Sequence, residues 1–510
     1  MSHATGGGDR RNERGRERHR GGSGPRRFST QAPSQRKRTA DPARLAAFEV
    51  LRAVAADDAY ANLVLPSRLR AHRLAGRDAG FATELAYGTL RGRGFYDAVL
   101  ARCVDRPLDR LDAAVLDVLR LGAHQVLAMR VPVHAALDET VALARAEIGA
   151  GPSGLVNAVL RKVAARERAD WTAELLAGVQ DQTERDGIEH SHPAWIVRAL
   201  RQALAAHGRA AAEATALLEA DNAAPLVNLV ALPGIGSLDE ALAQGAEPGR
   251  LVAGSATYAG GDLHGMADVR RGTTRVQDAG SQLVARALAA APIEGRDTDW
   301  LDLCAGPGGK AALLAALAHQ RGAELTANEP APHRAELVRQ ALAAVPRTAW
   351  AVVEGDGRRY AGIPADERFD RIMVDAPCSG LGALRRRPES RWRKSPGDLP
   401  ELTALQGGLL DAAVAALRPG GVLAYVTCSP HAAETVAVVD DALARHAGLR
   451  LLDSGAAVDA VALDGRAGSA AARPAGRPGP DGAPDGSTVQ LWPHVNGTDA
   501  MFFALFTLDA

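Results

Sequence analysis

A chain of 510 residues, 46% of them hydrophobic, is long enough for two to four domains at roughly 100–200 residues each and can bury a sizeable core. Its formal net charge is zero, and its four cysteines, Cys103, Cys304, Cys378 and Cys428, form no C-x-x-C pair, which argues against a metal site and against a disulfide scaffold. No apolar run approaches the ~18 residues of a membrane span, and no apolar core follows the charged N-terminus as in a secretory signal, so a reducing cytoplasm is expected and a membrane partner is not.

Residues 1–40 carry eleven Lys and Arg against only Asp9, Glu13 and Glu17, with abundant Gly, Ser and Gln and no apolar periodicity. Such a segment cannot repay the entropy of ordering and is expected to be a disordered basic tail. It suits a polyanion such as RNA, and equally a purely solubilising role. An ordered unit then starts at Asp41-Pro42, a good N-cap followed by a residue suited to the first helical position. Leu45, Phe48, Leu51 and Val54 recur at helical spacing, and further helical patterns lie near 78–103, 111–129, 134–148 and 153–165 without strand signals. Residues 41–166 are therefore expected to form a compact all-α domain. Its Arg70, Arg73, Arg77, Arg91, Arg93, Arg161 and Lys162 read best as ordinary exposed helix charges.

Residues 167–290 are mixed. Ser191-His192-Pro193 turns into a helical stretch, and the apolar runs 225–231 and 251–253 are strand-like. A small α+β linker module is expected. In 291–510 short apolar runs (300–303, 325–327, 350–353, 372–374, 422–426) alternate with helical stretches near 308–319, 332–344, 400–418 and 432–446. That alternation predicts a parallel sheet covered on both faces by helices, with ligands at the carboxyl ends of its strands. The Gly-, Ala-, Pro- and Asp-rich segment 454–487 is expected to be a mobile loop, and 489–492 and 501–507 a terminal pair of strands.

The strongest local signal is the run WLDLCAGPGGK, residues 300–310, where a strand enters a glycine-rich turn and a helix follows. Glycines there let a ligand approach the backbone, and helix N-terminal amides point into the same space. Glu329 ends the next apolar run, where a carboxylate can accept from both hydroxyls of a ribose, and Asp356 ends the third, where an acid can reach the amine of an adenine. Gly306, Gly308 and Ala311 also satisfy a dinucleotide fingerprint, so an NAD-dependent oxidoreductase stays open, as does a plain tight turn. A P-loop is excluded, because Ala311 stands where Ser or Thr should follow Lys310.

Two further strand ends carry a cysteine each: VDAPCSG with Cys378, and YVTCSP with Cys428. A lone cysteine is usually an inert small hydrophobe. Two at the ligand-facing edge, each flanked by Pro and Ser and outside the apolar part of its strand, point to catalysis, and adjacent strands would bring both next to the cofactor.

These segments, LDLCAGPGGK, VDAPCSGLGALRRRPESRW and YVTCSP, resemble the RNA cytosine-5 methyltransferases of the NOL1/NOP2/Sun group. RDAGFATELAYGTLRGRGFYD and SGLVNAVLRKV resemble the NusB-like RNA-binding domain found in the bacterial 16S ribosomal RNA branch of that group, and VQDAGSQ the segment before its cofactor domain. The resemblance covers about residues 41–510. It implies an all-α NusB-like domain, the linker module and a C-terminal α/β Rossmann-like class I methyltransferase domain using S-adenosylmethionine. It also implies Cys428 as the nucleophile that adds to carbon 6 of a cytosine to activate carbon 5, Cys378 as the residue that assists product release, and cofactor contacts from Cys304, Ala305, Gly306, Pro307, Gly308, Gly309, Lys310, Glu329, Asp356 and Asp375. Asp375 could in addition stabilise charge at the pyrimidine edge. Gly306 stands where the group usually has Ala, and Glu329 where Asp is common. Arg385, Arg386, Arg387, Arg391, Arg393 and Lys394 follow Cys378 closely and are expected to hold RNA phosphates. The expected partner is RNA, 16S ribosomal RNA before the small subunit is fully assembled, with the protein a monomer. Methylation of transfer RNA, a non-catalytic RNA-binding role and a nucleophilic Cys378 remain the alternatives.

Overall fold

The computed structural model describes residues 40–261, 263–478 and 484–509; the expected tail, save Ala40, lies outside the described residues. Seven α-helices occupy Pro42–Val163, beginning with Pro42–Ala56, where the Asp41 carboxylate accepts from the Arg44 amide at 2.9 Å. The pattern over 78–103 resolves into two helices, Gly76–Arg91 and Arg93–Cys103. A helix at Ala61–Ala71 escapes the periodicity because Pro66, Arg68 and Arg70 interrupt its apolar stripe, leaving only Ala61 and Leu65 buried. Leu85, Phe95, Val118, Leu119, Val156 and Leu160 are fully buried in the shared core.

Four helices between Arg168 and Asn222 lead to an antiparallel sheet of β1 (Val227–Ala231), β2 (Glu247–Pro248), β3 (Ser255–Tyr258) and β4 (Thr274–Val276), in the order β2-β3-β1-β4. The run 225–231 is thus a strand. The run 251–253 is not: it precedes β3 and makes a single bridge, Val252 to Ala462.

The C-terminal part is a nine-stranded mixed sheet. Its parallel half comprises β5 (Asp299–Asp302), β6 (Glu324–Asn328), β7 (Trp350–Val353), β8 (Phe369–Asp375) and β9 (Leu417–Thr427). The antiparallel half adds β10 (Leu449–Leu451), β11 (Ala472–Pro478), β12 (Pro484–Gln490) and β13 (Phe502–Leu508). The order is β11-β12-β13-β9-β8-β5-β6-β7, with β10 on β13. Helices cover both faces, so the central strands are buried on both sides; every residue from Asp370 to Val374 of β8 is buried. The all-α and α/β expectations hold. The described residues of the segment 454–487 contain a helix, Ser454–Asp459, and the paired strands β11 and β12, which its composition does not announce. Asp459 accepts from the amides of Gly468 and Ser469, and the Leu463 amide donates to the Leu251 carbonyl, so side chains and a neighbouring module supply what apolar periodicity does not. Among the described residues no helix is long and apolar enough to cross a membrane.

The segment after Cys378 forms the seam between the helical and α/β parts. Arg391 is fully buried, and its guanidinium donates to the carbonyls of Arg91, Ser191 and Asp221 and to Asn222 Oδ1 at 2.7–3.2 Å. Glu389 accepts from the Ala61 amide at 3.0 Å, and Arg393 donates to the carbonyls of Val54 and Ala59 at 2.8 Å. Arg385 and Arg386 both pair with Asp278 and Asp499 at 2.8–3.1 Å. Burial pushes the Asp221 carboxyl up to about 7, against the opposing charge of Arg391. The expected phosphate-holding set is corrected accordingly: Arg385, Arg386, Arg391 and Arg393 spend their donors on the protein itself, and burial leaves Arg391 no face for RNA. Arg387 is exposed, 4.9 Å from the Tyr60 ring centroid, and Lys394 is half-buried at the rim. Arg91, read from sequence as an exposed helix charge, is buried in this seam. Arg391→Ala should lower unfolding free energy by about 2–4 kcal/mol in a denaturant titration, since it strands several buried carbonyls. Arg391→Lys should restore little, because an ammonium lacks the planar fork that reaches four acceptors.

Candidate active site

The carboxyl ends of β5, β6, β7, β8 and β9 meet at one edge, and every expected cofactor or catalytic residue lies on the segments leaving it. Cys304, Ala305, Gly306, Pro307 and Gly308 form the turn from β5 into the helix Gly309–Gln320. The Ala305 amide donates to the Asn328 carbonyl at 2.9 Å and the Gly308 amide to the Ala305 carbonyl at 2.7 Å, which ties the turn to β6 and folds it back on itself. Gly308 has φ +104°, and a Cβ there would lie 2.4 Å from Ala341 Cβ, so only glycine lets the next helix pack this closely. Cys304 is a backbone element of the turn; burial pushes its thiol well above the ordinary range, which leaves it a neutral small side chain.

Glu329 is almost wholly buried at the end of β6, with Oε1 accepting from the Ala331 amide at 3.1 Å and Oε2 lying 3.3 Å from Arg334. Arg334 also donates to the Gly306 carbonyl at 2.8 Å. A Cβ on Gly306 would fall 2.1 Å from Glu329 Oε2. A methyl at this position would therefore require the Glu329 carboxylate to move. Asp356 caps the turn after β7 by accepting from the Arg358 amide at 3.0 Å, and the Arg358 guanidinium holds its carboxyl down at about 2.

Two residues were passed over in sequence. Asp302, at the end of β5, is fully buried, and neither carboxylate oxygen makes a hydrogen bond of ordinary geometry within the protein; burial, then the charge of Asp375, pushes it up to about 7. Asn328 donates to the carbonyls of Leu303 and Gly355, joining the ends of three strands, while its own Oδ1 is buried without a partner. Their signal was available, since each ends an apolar run at the ligand-facing edge. Orphaned buried acceptors beside a glycine cradle and a buried acid fit an adenosine-bearing cofactor with a cationic amino-acid end.

Lys310 Nζ donates to Asp375 Oδ2 at 2.9 Å. Asp375 ends β8, opposite Val426 of β9, and the chain continues to Cys378 on one side and Cys428 on the other. Their sulfurs stand 3.4 Å apart, both half-buried. The hydrogen bond from the Cys378 thiol lowers the Cys428 pKa and the Lys310 ammonium adds to it; the same contact, with burial and the charge of Glu434, pushes Cys378 well up. The contact thus makes the two thiols inequivalent, with ionisation favoured at Cys428 and opposed at Cys378.

A mixed parallel sheet with a glycine turn, a buried strand-end acid and two thiols at its carboxyl edge, joined to an all-α unit, defines an S-adenosylmethionine-dependent methyltransferase with an appended helical domain. Residues 287–507 match the family described as 16S rRNA methyltransferase RsmB/F, and residues 41–165 match the NusB family. The Mycobacterium tuberculosis protein named "Putative methyltransferase Rv1407" is 48% identical over 92% of this chain and 97% of its own length. Ribosomal RNA small subunit methyltransferase B of Pseudomonas putida is 35% identical over 80% of this chain and 91% of its own. The crystal structure of PH0851 shares the fold with a TM-score of 0.72 at 19% identity, covering 92% of this chain and all of that one. The chain belongs to the RsmB/F family and is an RNA methyltransferase of that family.

Gly306→Ala should weaken S-adenosylmethionine binding about tenfold, roughly 1.4 kcal/mol, by displacing the Glu329 carboxylate. Glu329→Asp in the same chain should recover most of the loss, so calorimetric titrations of the two single variants and the double variant should show strong coupling.

Proposed function

We propose that this protein transfers the methyl group of S-adenosylmethionine to carbon 5 of a cytosine in 16S ribosomal RNA through a bond between Cys428 and carbon 6 of the ring. The observation that carries the reading is the 3.4 Å contact between Cys378 Sγ and Cys428 Sγ beside the Lys310–Asp375 pair. Carbon 5 of cytosine is too weak a nucleophile to take a methyl group unaided. Addition of a thiolate to carbon 6 turns the ring into an enamine and makes carbon 5 reactive, splitting one hard step into easier ones. Cys428, whose ionisation the Cys378 thiol and Lys310 favour, is the group to add. Cys378, held protonated, stands next to it to donate a hydrogen bond to the Cys428 sulfur as the Cys428–carbon 6 bond breaks and Cys428 leaves as a thiolate, while a water at the open edge takes the carbon 5 proton. The Asp375 carboxylate, which accepts from Lys310, would accept from the exocyclic amine of the base and hold the ring.

Residues 304–310, Glu329, Asp356, Asp375 and the orphaned Asp302 would hold S-adenosylmethionine, which when bound supplies a methyl group activated on a sulfonium centre. The target base must leave its stack to enter this edge, which favours RNA not yet enclosed in an assembled subunit. The NusB-family domain would dock the RNA while Arg387 and Lys394 meet phosphate at the rim, all in the cytoplasm. The small-subunit specificity is supported by the family description and by the name of the Pseudomonas putida relative.

Cys428→Ala should abolish both methyl transfer and covalent RNA capture, whereas Cys378→Ala should accumulate a covalent protein–RNA adduct visible on a denaturing gel; the reverse pattern would exchange the two roles. Bisulfite sequencing of total RNA from cells with and without the gene should show one 16S position lost, and loss in transfer RNA instead would overturn the substrate. Activity should fall on the acid side as Cys428 takes up a proton. Lys310→Gln should move that limb to higher pH, because a thiolate that has lost its neighbouring ammonium ionises later, and a pH–rate profile reads this directly.

A further inference from the structure

Beneath the two cysteines lies a carboxylate to which the chemistry above gives no task. Glu434 is fully buried on the turn after β9 and makes no salt bridge among the described residues. Its Oε1 accepts from the Ser379 amide at 2.7 Å and from Gln406 Nε2 at 3.2 Å; its Oε2 accepts from the hydroxyls of Ser379 and, at 2.6 Å, Ser429. The two hydroxyls are 3.0 Å apart. Ser379 follows Cys378 and Ser429 follows Cys428, so one side chain grips the residue next to each sulfur. Gln406 extends the grip by donating to the Pro377 carbonyl at 2.8 Å, and the Glu434 backbone is fixed by Tyr425 Oη, which donates to its carbonyl at 2.8 Å.

Burying a carboxylate without a cation is expensive, and an apolar or amide side chain would hold two loops together at less cost. The charge itself therefore has a use. We propose that Glu434 is the positioning residue of this site: it clamps the Cys378 loop to the Cys428 loop and keeps the two sulfurs in the contact that makes them inequivalent. Its negative charge faces the Cys378 side, where it opposes a second thiolate and leaves that sulfur with a proton to donate toward Cys428. The inference rests on the proposed cysteine chemistry but concerns a residue that touches neither substrate nor cofactor.

The test is site-resolved alkylation of the full-length protein with iodoacetamide, followed across the neutral to alkaline range, with the labelled Cys378 and Cys428 peptides quantified by mass spectrometry. The wild type should label Cys428 first. Glu434→Gln keeps the shape and removes the charge; the ratio of Cys428 to Cys378 labelling should fall about tenfold, equivalent to one pK unit. In methyl transfer, kcat should fall with little change in KM for RNA; because loss of folded enzyme lowers kcat in the same way, the labelling ratio, which is independent of the folded amount, separates positioning from destabilisation. Ser379→Ala, which keeps the charge and removes one strut, should shift the ratio the same way, and it decides the matter should the Gln variant fail to fold. A labelling ratio and pH profile unchanged in the folded variants would overturn the proposal. Labelling needs neither RNA nor cofactor, so absence of methyl transfer by the wild type would sink the cytosine reading and leave the labelling result standing.

Discussion

Two adjacent parallel strands, β8 and β9, pair with Asp375 opposite Val426, and the chemistry at the carboxyl edge follows from that register. Cys378 lies three residues past Asp375 and Cys428 two past Val426, so the loops begin side by side and the sulfurs can touch. Side chains alternate along a strand, so a one-residue slip would send Asp375 to the other face and separate the thiols. Both strands are buried on both faces, by Ile372, Met373 and Val374 on one and Leu423 to Val426 on the other, and this packing fixes the register far from the reacting atoms.

Electrostatics then makes two chemically identical groups different. Lys310, anchored on the first turn of the helix after β5, reaches Asp375 and favours the Cys428 thiolate, while the buried Glu434 opposes charge on Cys378. Glu329, Asp356 and Asp375 around the cofactor turn are each paired with a basic side chain, whereas Asp302 is buried without a partner and is the acceptor left for a ligand to satisfy.

The segment from Ser379 to Lys394 serves two parts of the molecule at once. Its beginning is held by Glu434 under the cysteines; its end inserts Glu389, Arg391 and Arg393 between the helical and α/β parts. Because Arg391 bonds carbonyls from three separate stretches of chain, the NusB-family domain is fixed relative to the same loop that carries Cys378. RNA docked on that domain would thus be referenced to the catalytic sulfurs through one short, rigid segment.

The periodic elements were legible from residues alone. The five parallel strands, the helices between them and the glycine turn each announce themselves through local spacing, as do the strand-end cysteines, because burial on both faces demands continuous apolar runs and close ligand approach demands glycine. What escaped were features set by partners distant in sequence. The helix Ala61–Ala71 is buried through only two residues, and the stretch from Asp459 to Ser469 is held by the Asp459 carboxylate and by the Leu251 carbonyl. The basic run from Arg385 to Lys394 has the composition of a phosphate-binding loop, yet most of its guanidiniums face protein carbonyls and carboxylates contributed from elsewhere in the chain. Sequence therefore determined which groups reach the edge of the sheet. Tertiary structure decided which of them are free to act and which are bound to one another, because hydrogen bonding and burial depend on neighbours that local spacing does not encode.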